Sequence, residues 1–268
     1  MHAPQELTSA KNPQIINARA LSDRKGREAQ RAFLCEGEHM VQEALSACPQ
    51  AVQALFVNRE RMEKYASLLQ APQIHAAVYT VPERLMAALS QVKAPQGIAA
   101  VVALPRPVPA EALGNKLVLL ENVQDPGNVG TILRTLDAAG FHGCMLTPGC
   151  ADPFAPKTLR ATMGSVFRVP LAFVQGESSA SSALEDIFAN LKARGYALLA
   201  AELSGAPFYS RGPLPDQLCL MIGNEGVGLT LQAREAATHR FRLPMAGGAE
   251  SLNAAIAAAV MMYDLMYR

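Results

Sequence analysis

Apolar residues recur along this chain in two patterns. Short unbroken apolar runs suit buried strands, and positions recurring every three or four residues suit one face of a helix. The run Lys116 to Leu120 ends in Glu121 and Asn122, as a strand buried on both faces would, and Asp125-Pro126-Gly127 breaks it. A helix is expected next. Asn128 is its expected N-cap, Val129, Ile132, Leu133 and Leu136 form one apolar stripe, and Gly140 is placed to stop it. Arg134 then falls on the polar side. Gly127 and Gly130 would let backbone approach a ligand, and the helix N-terminus would offer unpaired N–H groups to an anion. The GxxG spacing fits neither the dinucleotide fingerprint nor the P-loop.

Before this stretch, the pattern predicts a helix from about Glu38, a strand over Val52 to Val57 and a helix over Arg59 to Leu69. A strand over Ala77 to Val81, a helix over Pro82 to Leu89 and a strand over Gly97 to Leu104 follow. This is a small alternating α/β unit. The proline-rich connection after Leu104 cannot continue a sheet. Expected boundaries are therefore residues 1–104, a linker over 105–115, and a second domain over 116–268.

In the second domain, strands are expected over Gly143 to Thr147, Val169 to Val174, Tyr196 to Leu203, Leu218 to Ile222 and Arg240 to Leu243. Helical segments between them, such as Ser182 to Arg194, imply a mostly parallel sheet with helices on both faces. Ligands of such sheets gather outside the carboxyl ends of the strands. Two more loops belong there. One carries Gly223, Gly226 and Gly228 around Asn224 and Glu225. The other leads to a long final helix, with Ser251 as the expected N-cap and Leu252, Ile256, Ala259, Val260, Tyr263 and Tyr267 as an apolar stripe. Alanines cover much of the remainder, so this helix could pack on its own core and on another subunit.

The 268 residues are half hydrophobic and 18% charged, enough for one large or two ordinary domains. The first residues lack the apolar core of a signal peptide and no run reaches membrane-spanning length, so a cytoplasmic protein is expected. The five cysteines show no CxxC spacing and the five histidines no ligand pair, so no metal is expected. A net charge of +1 argues against a positive coat over the whole surface. Local charge differs: from Ser9 to Cys35, Lys11, Arg19, Arg24, Lys25, Arg27 and Arg31 face only Asp23 and Glu28. That run is either a solvated helix face or a strip that contacts phosphates.

The stretches ENVQDPGNVGTILRTLDAAGF, MIGNEGVGL and LPMAGGAESLNAAIAAAV, in this order and spacing, resemble the three motifs of the SpoU (TrmH) family of RNA ribose methyltransferases, in the SPOUT superfamily. Ser9 to Leu45 is similar to the RNA-binding domain that precedes the catalytic domain in many members. The resemblance implies an α/β fold whose C-terminal, mostly parallel sheet contains a deep trefoil knot, preceded by a small α/β RNA-binding domain. It implies transfer of a methyl group from S-adenosylmethionine to a ribose 2′-hydroxyl of RNA, rRNA ahead of tRNA, by a homodimer joined through the C-terminal domain. Carried over by position, Ile222, Gly223, Leu243, Met245 and Leu252 would cradle the cofactor. Asn122, Arg134, Glu225, Ser251 and Asn253 would surround the transfer site, and Asn12, Arg19, Arg24, Lys25, Arg27 and Arg31 would meet RNA.

The chemistry suits that polar set. A ribose hydroxyl is a weak nucleophile while a sulfonium methyl is already activated, so the protein must align the groups and help a proton leave. The family's usual base is the residue matching Arg134, yet a guanidinium resists deprotonation. Stabilising a developing alkoxide or anchoring a phosphate ranks level with that role. Lys157 and Arg160 stand where the family often has basic residues, but Thr162-Met163-Gly164-Ser165 follows the family's pattern only approximately. Two competing classes remain. A nicotinamide-dependent oxidoreductase would need a GxGxxG turn that is absent. A noncatalytic RNA-binding protein of the same fold would more naturally have lost Arg134 or Asn253, and both are present.

Overall fold

The computed structural model describes residues 4–70, 75–174 and 180–267. The chain forms two compact units: one runs through Arg106 and takes in Phe154–Arg168, and the other comprises Pro107–Pro153 and the chain from Val169 onward.

The first unit begins with β1 (Gln5–Glu6), α1 (Pro13–Ala20), α2 (Arg24–Gln30), β2 (Ala32–Glu36) and α3 (Glu38–Ala47). It continues with β3 (Val52–Asn58), α4 (Ala66–Leu69), β4 (Ala77–Val81), α5 (Glu83–Leu89) and β5 (Ile98–Ala103). The sheet order is β1-β4-β3-β5-β2, with β5 antiparallel to both neighbours. Ile15, Ala18 and Leu21 from α1 and its end meet Phe56, Leu85 and Met86 in one core. The long helix expected over Arg59 to Leu69 is not formed. Asn58 Oδ1 accepts from Glu60 N at 2.7 Å and starts a short 3-10 turn, while Arg61 and Tyr65 reach the Gln96 carbonyl at 2.9 and 2.6 Å. These bonds hold the chain in turns until α4.

The basic run lies on α1 and α2. Lys11, Arg19, Arg24, Lys25 and Arg31 are exposed. Arg27 is not: it is 4% exposed, and its Nη1 donates to the Leu21 and Ser22 carbonyls at 2.9 and 2.8 Å. Its guanidinium closes the α1–α2 turn, which corrects the expectation that it meets RNA. Asn12 caps α1, accepting from Gln14 N at 2.9 Å.

The second unit is built from β6 (Lys116–Leu120), α6 (Pro126–Ala139) and β7 (Gly143–Leu146). Next in the chain, α7 (Pro156–Thr162) packs on β2 in the first unit, where Phe154 and Phe167 lie against Phe33 at ring separations of 5.0 and 6.1 Å. The aromatic pair draws this segment out of the domain in which its sequence position put it. The second unit resumes with β8 (Leu171–Phe173), α8 (Ala180–Ala193), β9 (Ala197–Pro207), β10 (Leu218–Ile222), α9 (Leu231–Ala236), β11 (His239–Arg242) and α10 (Ala254–Tyr267). The six strands are all parallel, in the order β11-β9-β10-β6-β7-β8. The β6 and β10 runs are buried along almost their whole length, as their sequences require.

Two helix starts differ from expectation. Asp125, not Asn128, is the N-cap of α6, and Pro126 occupies the first turn, where its fixed φ fits and its missing N–H is not needed. At α10 the cap is Asn253, whose Oδ1 accepts from Ala255 N at 2.9 Å and Ile256 N at 3.3 Å; Ser251 stays outside. The expected apolar stripe of α10 also faces the other way. Ala255, Ala258, Met261, Met262 and Leu265 are buried, while Leu252, Ile256, Tyr263 and Tyr267 are exposed. Small side chains let α10 lie close along α6.

Truncating Arg27 leaves two carbonyls in a buried turn without their donor, at about 1–3 kcal/mol for such an unsatisfied group. Arg27→Ala should therefore lower unfolding free energy by that amount in urea titration, whereas Lys25→Ala should change it by less than about 0.5 kcal/mol. Equal, small effects of both would mean that Arg27 does not hold the turn.

Candidate functional site

A cavity of about 550 Å³ opens at the carboxyl ends of β9 and β10, within the range of about 300–1,000 Å³ usual for small-molecule sites. Its walls are the loop after β10, the end of β9, the segment between β11 and α10, and the inner face of the first turns of α10. Ile222, Gly223, Leu243, Met245 and Leu252 all line it, as do Glu225, Ser251 and Asn253. Arg134 and Asn122 do not.

The loop after β10 is held by its own side chain. Asn224 and Gly228 exchange backbone bonds at 3.1 and 2.9 Å, and Asn224 Oδ1 accepts from Gly226 N and Val227 N at 2.9 and 3.1 Å. Gly223 is required by close approach: a Cβ there would stand 2.3 Å from the backbone of Gly228 and Leu229. The loop crosses itself with no room for a side chain, which leaves backbone facing the cavity. Glu121 at the end of β6 fixes the far side, accepting from Thr230 N at 2.8 Å and Thr230 Oγ1 at 2.7 Å.

One hydrogen-bonded chain ties the three loops together. Glu225 Oε1 accepts from Asn128 Nδ2 at 2.9 Å, and Asn128 Oδ1 accepts from Asn253 Nδ2 at 2.9 Å. The Glu225 carboxylate also accepts from the backbone N–H of Gln124 and Asp125 at 3.2 and 3.1 Å. With Asp125 accepting from Asn128 N at 2.9 Å, two carboxylates already occupy the α6 N-terminus. It is not the open anion site that the sequence suggests. Burial pulls the Glu225 pKa up, but the Asn128 amide and the backbone N–H groups more than offset this and hold it below the usual carboxylate value.

Asn128 joins the site in a role the sequence does not reveal. Its partners lie 97 and 125 positions away, so no local spacing could have marked it as more than a cap. Asn122 proves to be a backbone joint. It takes φ 55°, a left-handed conformation that asparagine tolerates, while its N–H donates to Thr147 Oγ1 at 3.0 Å and its carbonyl accepts from Asn224 Nδ2 at 2.9 Å. Arg134 is exposed on α6, opposite a stripe of Val129, Ile132, Leu133 and Leu136 that is fully buried. Neither the Arg134 nor the Ser251 side chain has a hydrogen bond or ion pair to another described residue.

The cavity's apolar walls, its exposed backbone at a strand end and its few convergent polar groups fit a nucleoside cofactor with a purine, a sugar and a charged tail. Among the described residues no helix is long and apolar enough to cross a membrane.

Residues 115–263 match the model of the SpoU rRNA methylase family, and residues 12–100 match that of an MRM3-like substrate binding domain. The 23S rRNA (guanosine(2553)-2′-O)-methyltransferase RlmP of Bacillus subtilis is 35% identical over 97% of this chain and 99% of its own. A structure of an AdoMet-bound rRNA methyltransferase from Sinorhizobium meliloti superposes with a TM-score of 0.82 at 32% identity, covering 97% of both chains. The SpoU methyltransferase AviRb of Streptomyces viridochromogenes, solved with AdoMet, gives 0.82 at 27% identity over 96% of this chain and 97% of that one.

Because the Glu225 pKa is depressed in the folded state, its contribution is complete above the unfolded value of about 4.3 and is lost as pH falls through the folded value. Melting temperature should therefore fall more steeply on acidification below that point in the native protein than in Glu225→Gln. Parallel curves would show that the carboxylate does not hold the loops.

Proposed function

The chain belongs to the SpoU rRNA methylase family, and from that premise we propose that it methylates a ribose 2′-hydroxyl of ribosomal RNA with S-adenosylmethionine. The observation that carries this is the cavity: the five residues expected to cradle the cofactor line one space together with Glu225, Ser251 and Asn253. When bound, S-adenosylmethionine supplies a methyl group already activated by its sulfonium.

The chain's own residues supply position and charge. Ile222, Leu243, Met245 and Leu252 offer apolar contact, and the Gly223 to Gly228 loop offers backbone donors and acceptors. Asn128, Asn253 and Glu225 hold the loops at fixed separation, which is the geometry that an in-line transfer demands. Glu225 is a poor proton acceptor, since its depressed pKa makes it a weaker base. Arg134, exposed and unengaged, acts as a charged donor to the developing alkoxide or the adjacent phosphate. Asn122 shapes the loop and does not touch the reacting groups.

The first unit binds the RNA substrate through the exposed cations of α1 and α2, in keeping with its match to a substrate binding domain. The protein acts in the cytoplasm as a homodimer. Support for the dimer is the exposed stripe of Ile256, Tyr263 and Tyr267 on α10, an apolar face that a second copy would cover.

Arg134→Ala should bind S-adenosylmethionine normally, because the residue lies outside the cavity lining, and should slow single-turnover methyl transfer to rRNA by roughly a hundred- to a thousandfold. Near-normal transfer would remove Arg134 from the mechanism. Alanine at Arg19, Lys25 and Arg31 together should weaken RNA binding and reduce the slope of log affinity against log salt by about 0.9 for each phosphate no longer neutralised. An unchanged slope, measured by titration with labelled rRNA fragments, would leave the strip a solvated face.

A further inference from the structure

The cavity wall holds a charged group with no part in the transfer chemistry or in tying the loops together. β9 pairs with β10 only as far as Ala200, and Glu202 follows in the part of the strand that outruns its neighbour. The residue lines the cavity, and its side chain is 9% exposed. Oε1 is provided for: it accepts from Ser204 Oγ at 3.1 Å and lies 3.9 Å from Arg240 Nη1. Oε2 is buried without a hydrogen-bond partner. A buried carboxylate oxygen without a donor is costly, and one set in the wall of a cavity is accounted for by a donor on the ligand.

We propose that Glu202 is a cofactor-contacting residue whose Oε2 accepts a hydrogen bond from the ribose diol of S-adenosylmethionine; this rests on the cofactor reading of the cavity. The cofactor has three kinds of donor, and the surroundings choose among them. The adenine amino group is flanked by ring nitrogens that are acceptors, so a carboxylate facing it would set its second oxygen against a lone pair. The α-ammonium is a cation, and this wall is already supplied with positive charge. Arg240 offsets the Glu202 carboxylate, and Arg242 also lines the cavity, its Nη1 donating to the Gly205 carbonyl at 2.9 Å. A further cation there would meet the repulsion of both guanidinium groups, which offsets its attraction to the carboxylate. Vicinal hydroxyls are neutral, donate without an adjoining obligatory acceptor, and satisfy Oε2 without adding charge. The same interaction confers selectivity: a cofactor analogue without the diol would leave Oε2 buried and unpaired.

The test is calorimetric titration of the full-length protein with three ligands: S-adenosylmethionine, methylthioadenosine, which keeps purine and ribose but lacks the amino-acid tail, and 2′,3′-dideoxy-methylthioadenosine. The native protein should bind methylthioadenosine roughly ten- to a hundredfold more tightly than its dideoxy counterpart, the range expected for a hydrogen bond to a charged group. Glu202→Gln, which keeps the shape and removes the charge, should lose a similar factor for S-adenosylmethionine and for methylthioadenosine, and bind the dideoxy ligand as the native protein does. Equal affinity of the native protein for the diol and dideoxy ligands overturns the proposal, whether or not the variant folds. A variant that loses affinity for all three ligands alike would give Glu202 a structural role, and one that loses it for S-adenosylmethionine alone would move the interaction to the amino-acid tail; either result overturns the proposal. No binding of S-adenosylmethionine by the native protein would instead overturn the cofactor reading on which it rests.

Discussion

The site depends on one line of hydrogen bonds, from the Glu225 carboxylate through the Asn128 amide to Asn253. Each participant belongs to a different loop, and each is also fixed by its own backbone: Asn128 lies in the first turn of α6, Asn253 caps α10, and Glu225 sits in a loop that Asn224 closes on itself. An asparagine in the middle is suited to this because its amide has a donor end and an acceptor end, so one side chain can serve a carboxylate on one side and an amide on the other. Partly screened from water, such a chain is strengthened by each of its members, and the loss of one leaves the others with unmet demands.

The glycines beside this chain impose the complementary constraint. At Gly223 the loop passes its own backbone so closely that a Cβ would stand 2.3 Å away, and at Gly205 a Cβ would lie 2.5 Å from Phe241 N. Close passages at both places bring strand ends and loops into a wall of backbone around the cavity. Several of the polar side chains there are placed by a neighbour. This explains why so much of the machinery consists of residues that hold other residues, with Glu121 on Thr230 and Asn122 on the loop after β7 as further cases.

How much of this is legible in the sequence depends on whether the signal is local. The α6 stripe of Val129, Ile132, Leu133 and Leu136 is fully buried, because a one-sided helix states its own orientation. α10 is apolar on nearly every side, so periodicity picks out a stripe but cannot say which side is buried; the side with Ala255, Ala258, Met261, Met262 and Leu265 packs inward, where α10 lies along α6. The helix starts escape prediction for a related reason, since Asp125 and Asn128, and likewise Ser251 and Asn253, are all competent caps a few positions apart. Arg27 is indistinguishable from the other cations in sequence because composition carries no information on burial. The Asn128 link lies beyond reach, as it spans 97 and 125 positions, and no period can encode the threading of a chain end through a loop, so the expectation of a knot rests on the resemblance alone.

The distribution of charge separates two tasks that a near-neutral total would otherwise conceal. Exposed cations gather on α1 and α2 of the first unit, where long-range attraction can act on a polyanion and is correspondingly weakened by salt. Around the cavity of the second unit the charges are mixed, with Glu202, Glu225, Arg234 and Arg242 in its lining. A wall of mixed sign gives little net attraction for RNA, but its partly buried groups are screened less and can discriminate between neighbouring atoms of one small molecule. Attraction and discrimination ask for opposite charge patterns, and this chain carries the two patterns on different units. A surface of that kind can vary without disturbing the cavity, where the Glu225 carboxylate is held by the Asn128 amide and the backbone N–H groups of Gln124 and Asp125.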